Sequence, residues 1–190
     1  MHQRKRNHQI IMMFSAVLAV SLTLAPALPA QENEQVVEVK SALSRNAVRP
    51  GETFKAAVIL KIQAGYHIND NAPLDEFLFP TSVSIEDNPE FEVVEIYYPA
   101  GRRAKFSYSE AELVVYDGEA VLGVLLKAKD GLAPGARTLK AILSYQACDN
   151  TSCLPPKELA FEIAVPVAKT GGADIHPEIF GKLRFKSLQK

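Results

Sequence analysis

Three segments of this chain alternate apolar and other residues with a period of two, and this pattern constrains the fold most. Their apolar positions on one face are Phe54, Ala56, Val58, Leu60 and Ile62, then Leu139, Ala141, Leu143, Tyr145 and Ala147, then Leu159, Phe161, Ile163 and Val165. Such alternation is typical of a β-strand with one buried face. The pattern therefore predicts strands for the body of the chain.

Shorter strand candidates separated by turn signals complete the pattern. They lie at residues 36–43, 81–86, 91–98, 112–116 and 120–128, and Asp117-Gly118 between the last two favours a β-hairpin. Seven or eight strands with this spacing predict an all-β protein, an immunoglobulin-like antiparallel β-sandwich, with a β-barrel as the alternative. The chain has no tryptophan, so it lacks the buried tryptophan that antibody domains carry.

The first thirty residues have the pattern of a signal peptide. Arg4, Lys5 and Arg6 precede an apolar run at residues 10–24, and small-residue cleavage sites end at Ala27 and Ala30. The run is shorter than the ~18–20 residues that a membrane span needs, which favours cleavage over a transmembrane anchor. No cysteine lies near these sites, so we expect no lipid anchor. We expect an exported, periplasmic protein.

The remaining chain is mildly acidic and is expected to form one β-sandwich, at residues 31–169. Without the leader, 18 basic and 22 acidic residues remain, a net charge of −4, which argues against a nucleic-acid partner. Residues 170–190 are predicted to be a linker and tail, with a short helix capped by Asp174 and with Pro177 in its first turn. The tail either docks on the sandwich or binds a partner or membrane.

The two cysteines, Cys148 and Cys153, flank four polar residues, 149–152, that are typical of a turn. The flanking strand patterns place the pair in a connection at one rim of the sandwich. A chain of this length can bury a core without a disulfide, and closing so short a loop contributes only about 2 kcal/mol. The pair is therefore either a working redox pair or a structural bond that stiffens the loop.

Other chemistry finds little support in the sequence. A thioredoxin motif has two residues between its cysteines and begins a helix, whereas this pair lies between strands. A zinc site would need His67 and His176 besides the cysteines, at spacings that match no common zinc module. We expect no metal and no cofactor.

Two segments resemble one known family. The segment YQACDNTSCLPPKELAFEI is similar to the cysteine segment of the N-terminal periplasmic domain of the thiol:disulfide interchange proteins DsbD, and GYHINDNAPLDEFLFPTSV resembles a second segment of that domain. The resemblance covers residues 36–167. The cysteine motif includes Tyr145, Gln146 and Pro155.

The resemblance implies an immunoglobulin-like sandwich with a reversible disulfide. Such a domain takes electrons from a membrane-bound donor module and passes them to thioredoxin-fold redox proteins, which would make this chain a protein-disulfide reductase or exchange carrier. An aromatic cap loop covers the pair in that family, and the matching residue here is Phe106, with Tyr108 beside it. Ordinary sandwich packing is the alternative for both rings.

This sequence departs from the family pattern in two respects. Arg102, Arg103, Ala104 and Lys105 precede Phe106 where acidic residues are frequent, and Glu110 and Glu112 follow it. The membrane and thioredoxin-like domains of DsbD are not found in this chain, so we expect it to need a separate donor.

The sequence also predicts an order of reactivity. Cys148 ends a strong strand and should be less accessible, whereas Cys153 follows polar turn residues and should form the intermolecular bond, as the resemblance also implies. His67 is either functional or a hydrogen-bonded residue at a strand end. The alternative to a redox carrier is a non-enzymatic binding module with a structural disulfide.

Overall fold

The fold is known from a computed structural model, which describes residues 35–189, so the predicted signal peptide lies outside the described residues. In this part of the chain eleven strands and two short helices follow one another: β1 Val37–Leu43, β2 Thr53–Ile62, β3 His67–Asn69, β4 Ser82–Ile85, β5 Phe91–Tyr97, β6 Arg102–Ala104, β7 Leu113–Tyr116, β8 Glu119–Ala128, β9 Gly135–Tyr145, β10 Ala147–Cys148, β11 Lys157–Val167, α1 Pro177–Phe180 and the 3₁₀ helix Lys186–Leu188. No helix in this range is long and apolar enough to cross a bilayer.

The strands form three antiparallel sheets. Their strand orders are β1-β2-β8-β5, β10-β3-β7-β6 and β11-β9-β4. The alternating faces predicted for β2 and β9 are buried, and they meet in one central core that also contains Ile163 and Val165 of β11. Two sheets hide their apolar faces from water by packing against each other. The predicted immunoglobulin-like antiparallel β-sandwich is therefore confirmed.

The hairpin predicted at Asp117-Gly118 is wrong. Strand β7 pairs with β3 and β6, whereas β8 pairs with β2 and β5, so the turn joins two different sheets. Gly118 has φ 62°, and its carbonyl oxygen accepts a 2.7 Å hydrogen bond from the amide of Ile62. The turn residues indicated a reversal correctly, but turn chemistry does not specify which strands pair.

The C-terminal segment packs against the outer face of the β1-β2-β8-β5 sheet. Phe180, Leu183 and Phe185 are buried there with Ala57 and Leu125. The tail therefore docks on the sandwich, as the first of the two alternatives predicted. The predicted helix cap is wrong, since His176 with φ 56° precedes α1 and Asp174 instead forms an ion pair with Arg45.

Candidate functional site

The cysteine loop starts where the chain crosses from one sheet to another. Strand β9 ends at Tyr145, and after Gln146 the chain continues as β10 in the sheet that contains β3. There Cys148 lies directly across from His67 in the strand register. The connection returns to β11, the antiparallel neighbour of β9. The pair therefore lies in the connection between two long strands, as predicted.

Cys148 and Cys153 form a disulfide, with their Cα atoms 3.9 Å apart. The four-residue turn between them is held by Asp149, whose Oδ1 accepts hydrogen bonds from the amides of Thr151 and Ser152, both at 2.7 Å. The Thr151 amide is the main cause that lowers the pKa of Asp149. The carboxylate is thus negative at neutral pH, so it does not favour a thiolate beside it.

The two cysteines have unequal exposure. Cys148 is 0% exposed, whereas Cys153 is exposed. Neighbouring residues of a strand point to opposite faces, so Ala147 enters the central core while Cys148 lies on the outer face of the sheet, across from His67. The predicted order of accessibility is confirmed, because Cys153 is the more exposed residue of the pair.

A loop at residues 105–111 covers this outer face. Phe106 is 9% exposed and packs with Leu113 and Val115 of β7, and Tyr108 packs against the same cluster. Phe106 is stacked on His67, with ring centroids 3.9 Å apart and planes 13° apart. Since His67 is the cross-strand neighbour of Cys148, the loop lies beside the buried sulfur. We call residues 105–111 the cap loop.

The other predicted site residues surround the disulfide at different depths. Tyr145 is 1% exposed in the central core, where burial raises the pKa of its hydroxyl. Gln146 bridges the base of the cysteine loop, because its Nε2 donates to the carbonyl oxygen of Leu154 at 3.1 Å. Pro155 is exposed beyond it. Their roles in the reaction stay predictions.

The basic residues before the cap are placed in different ways. Arg102 pairs with Asp117, its Nε 3.0 Å from Oδ2, and Lys105 donates to the carbonyl oxygen of Glu110 inside the cap loop. Arg103 is exposed on β6. These basic residues therefore lie along one border of the cap loop. None of the bonds named here joins them to the disulfide loop.

Sequence reasoning left the role of His67 open and did not identify the contact between the cap loop and the cysteine turn. His67 is 3% exposed, and its Nε2 lies 2.7 Å from the hydroxyl of Tyr108. Ser107 bonds to Asn150, and Asp149 organises the turn. The isolated three-residue strand β3 gave no detectable alternation, so the placement of His67 beside Cys148 could not be derived. Among residues 35–189 no cluster of three or more metal-ligating side chains occurs.

These features define a class of β-sandwich proteins with an unequally buried disulfide at one rim, beside an aromatic cap. The chain belongs to the family described as "Thiol:disulfide interchange protein DsbD, N-terminal", whose model matches residues 33–164. Thiol–disulfide interchange is the activity in that description. Among curated protein sequences no significant match is found.

Two solved structures are similar to this chain. The N-terminal domain of Neisseria meningitidis DsbD in the reduced form is 20% identical, with a TM-score of 0.40 over 67% of this chain and 85% of that one. The N-terminal periplasmic domain of ScsB from Proteus mirabilis is 12% identical, with a TM-score of 0.47 over 75% of this chain and 50% of that one.

Proposed function

We propose that this protein is an exported thiol–disulfide interchange protein that carries electrons through a reversible Cys148–Cys153 disulfide. The observation that supports this most is the unequal burial of the two cysteines in a member of this family: Cys148 is fully buried and Cys153 is exposed. A bond that only stiffens a loop needs no such asymmetry. Exchange needs one sulfur that a partner thiolate can approach while the other leaves, and this asymmetry assigns the two roles.

The exchange proceeds in two steps. A partner thiolate attacks the sulfur of Cys153, a new intermolecular disulfide forms, and Cys148 leaves as a thiolate that takes a proton from water. The other cysteine of the same partner then attacks the partner's sulfur in the mixed disulfide. This step releases reduced Cys153 and leaves the partner with an oxidised cysteine pair. Two electrons and two protons have been transferred. Reduced Cys153 and Cys148 repeat the steps in reverse on an oxidised partner.

The partners proposed are thioredoxin-fold proteins, with a membrane-bound donor on one side of the exchange. Asp149 is the charged neighbour of Cys148 in the chain, and it is negative, so it disfavours a thiolate. The pair therefore reacts slowly with unselected thiols and depends on a partner that supplies its own activated thiolate. Phe106 is proposed to shield the disulfide until such a partner displaces the cap loop.

Export to the periplasm is proposed because residues 1–30 have the pattern of a signal peptide. Fractionation of cells that express the full chain tests it, because a cleaved periplasmic form should be shorter by 27 or 30 residues at its N-terminus. Mass spectrometry of that form distinguishes cleavage after Ala27 from cleavage after Ala30. An uncleaved form in the membrane fraction would contradict the proposal.

The roles of the sulfurs are tested with single-cysteine variants. A thioredoxin-fold protein with one active-site cysteine is first converted to a mixed disulfide with thionitrobenzoate. Attack by Cys153 in the Cys148→Ser variant should release the coloured thiolate and yield a covalent heterodimer that dithiothreitol separates. The Cys153→Ser variant, whose thiol is the buried Cys148, should react at least tenfold more slowly, because accessibility limits exchange.

Two outcomes would change the proposal. Faster reaction of Cys153→Ser would reverse the assignment of the sulfurs. Failure of both variants to form the heterodimer, together with a reduction potential of the wild-type pair below about −300 mV, is the behaviour of a structural disulfide and would contradict the carrier function.

A further inference from the structure

His67 occupies a position between the buried sulfur and the cap loop. It is the first residue of β3, is 3% exposed, and lies opposite Cys148 in the register of β3 and β10. Directly opposed residues of antiparallel strands project to the same face, with Cβ atoms about 4.5–5.5 Å apart. Ile68, the next residue, enters the central core instead. The imidazole and Cys148 therefore share the outer face of this small sheet.

The same imidazole contacts both aromatic residues of the cap loop. Its ring is stacked on Phe106, and its Nε2 is 2.7 Å from the hydroxyl of Tyr108. The rings of Phe106 and Tyr108 are also nearly parallel, with centroids 5.5 Å apart and planes 12° apart. Three rings thus form one stack, and His67 is the member that belongs to the rigid sheet rather than to the loop.

We propose that His67 is a positioning residue for the exchange reaction, which holds Phe106 and Tyr108 against the sheet and so keeps the cap loop closed beside Cys148. This inference rests on the proposed function, because a closed cap has a consequence only if the disulfide reacts. His67 has no bond to make or break in the exchange itself. Its effect is on how often the disulfide is accessible.

An imidazole is suited to this role because its face and its edge are both used. A phenyl ring at residue 67 could stack on Phe106 but could not bind the Tyr108 hydroxyl, and an amide side chain could bind the hydroxyl but would stack poorly. Hydroxyl and Nε2 can pair whichever of them carries the shared proton. The variants His67→Phe and His67→Gln therefore remove the two contacts separately.

The rate of disulfide reduction by dithiothreitol at fixed pH measures the accessibility of the pair. Samples are quenched in acid, alkylated and weighed by mass spectrometry, and the chain has only two cysteines, so the thiol count is unambiguous. Loss of one hydrogen bond corresponds to about a two- to tenfold change. We expect Tyr108→Phe and His67→Phe each to be reduced about two- to tenfold faster than wild type, and His67→Ala faster still.

A double-mutant cycle separates positioning from general destabilisation. If His67 acts by holding the Phe106 ring in place, His67→Ala should change the rate less than about twofold in a Phe106→Ala background, because a cap loop without that ring no longer shields the disulfide even while the Tyr108 contact remains. Equal effects of His67→Ala in both backgrounds would overturn the proposal. Should His67→Ala fail to fold, Tyr108→Phe combined with Phe106→Ala gives the same test without a change in β3.

A matched control is Tyr97→Phe, since Tyr97 lies in a different sheet and packs on Phe185 of the C-terminal segment. We expect its rate to equal that of wild type, and acceleration equal to that of Tyr108→Phe would contradict the proposal. The outcome is independent of the carrier function: a disulfide that exchanges with thioredoxin-fold proteins but shows additive rates in the cycle would refute only the role of His67.

Discussion

The side-chain hydroxyl of Ser107 donates a 2.6 Å hydrogen bond to the main-chain carbonyl oxygen of Asn150. Ser107 follows Phe106 in the cap loop, and Asn150 lies in the turn between the two cysteines. The bond therefore joins two loops that belong to different parts of the sequence. Opening of the cap loop must break this bond as well as the ring stack on His67.

The first prediction concerns this bond. Because Ser107 is exposed, its hydrogen bond stabilises the closed cap only modestly, by about 0.5–1.5 kcal/mol. Ser107→Ala should therefore raise the rate of disulfide reduction by dithiothreitol about two- to tenfold with almost unchanged stability. Ser109→Ala is the control, since the Ser109 hydroxyl bonds to Ala111 within the cap loop. Equal acceleration by both variants would argue against a specific link between the loops.

The second prediction concerns Phe106. If its ring shields the disulfide, Phe106→Ala should speed reduction by a small thiol several-fold with little loss of stability. Phe91→Ala is the control, because Phe91 packs edge-on against Phe54 in the central core, and its loss should cost about 3–5 kcal/mol without a change in rate. A rate unchanged by Phe106→Ala, with a stability loss as large as that of Phe91→Ala, would mean that Phe106 is simply core.

The third prediction is that the reduced protein stays folded. The disulfide closes a loop with a sequence separation of 5, for which chain entropy predicts a contribution of about 2 kcal/mol. The large central core is independent of that bond. We expect the double variant Cys148→Ser with Cys153→Ser to lose no more than about 2 kcal/mol in urea unfolding. Global unfolding on reduction would support a structural disulfide instead.

The fourth prediction concerns pH. Burial is the main cause that lowers the pKa of His67 below 6.5; Asp117 and Asp149 raise it, Arg102 lowers it, and the Tyr108 hydroxyl faces the ring. A lowered pKa means that the unfolded chain binds a proton more readily than the folded one. The stability contribution of neutral His67 is thus complete above about pH 6.5 and is lost as the pH falls from there to the lower folded pKa.

Urea unfolding at several pH values between about 7.5 and 5 measures this effect. His67→Phe has no titrating ring at this position, so its stability should fall less steeply over that interval than the stability of wild type. The control is His176→Asn, which removes the exposed histidine before α1 and leaves β3 unchanged. Parallel curves for wild type and His67→Phe would show that burial of His67 does not affect its titration.

The fifth prediction concerns the C-terminal segment. Phe185 lies so close over Gly123 that a Cβ added there would be 2.6 Å from its Cζ atom. Glu95 holds the same segment by accepting hydrogen bonds from the amides of Lys186 and Ser187 at 2.8 and 2.9 Å. We expect Phe185→Ala to cost about 3–5 kcal/mol, and Gly123→Ala also to destabilise, with the disulfide reduction rate unchanged in both. A faster rate would indicate that the segment influences the site.

The sequence predicted the strands of four or more residues and missed the strands that are shorter. The faces of β2 and β9 could be assigned residue by residue because burial on one side leaves a period of two. Strands β3, β6 and β10 have only two or three residues each, too few for any period. Their pairing is a property of the whole sandwich; β10, for example, pairs with β3 because the chain enters that sheet after Gln146.

The same limit applies to the site. Polar turn residues around the cysteines predicted an exposed Cys153, because turn chemistry is local. A strand end predicted that Cys148 is the less accessible cysteine, but the face on which it is buried, opposite to that of Ala147, required the pairing of β10 with β3. That His67 lies opposite Cys148 required the register of β3, and that Ser107 contacts Asn150 required the path of the cap loop. The docking of Phe185 over Gly123 likewise required tertiary contact.

Strand β3 has a consequence for engineering this domain. Ile68 contributes to the central core. His67 and Asn69, on either side of it, are buried on the opposite, outer face of the same sheet. A substitution that shifts this strand to improve core packing would also shift the histidine beside Cys148. Libraries selected for heat resistance should therefore keep β3 unchanged. They should vary exposed residues of β11 instead, namely Glu158, Ala160 and Glu162, whose substitution leaves β3 and the redox pair in place.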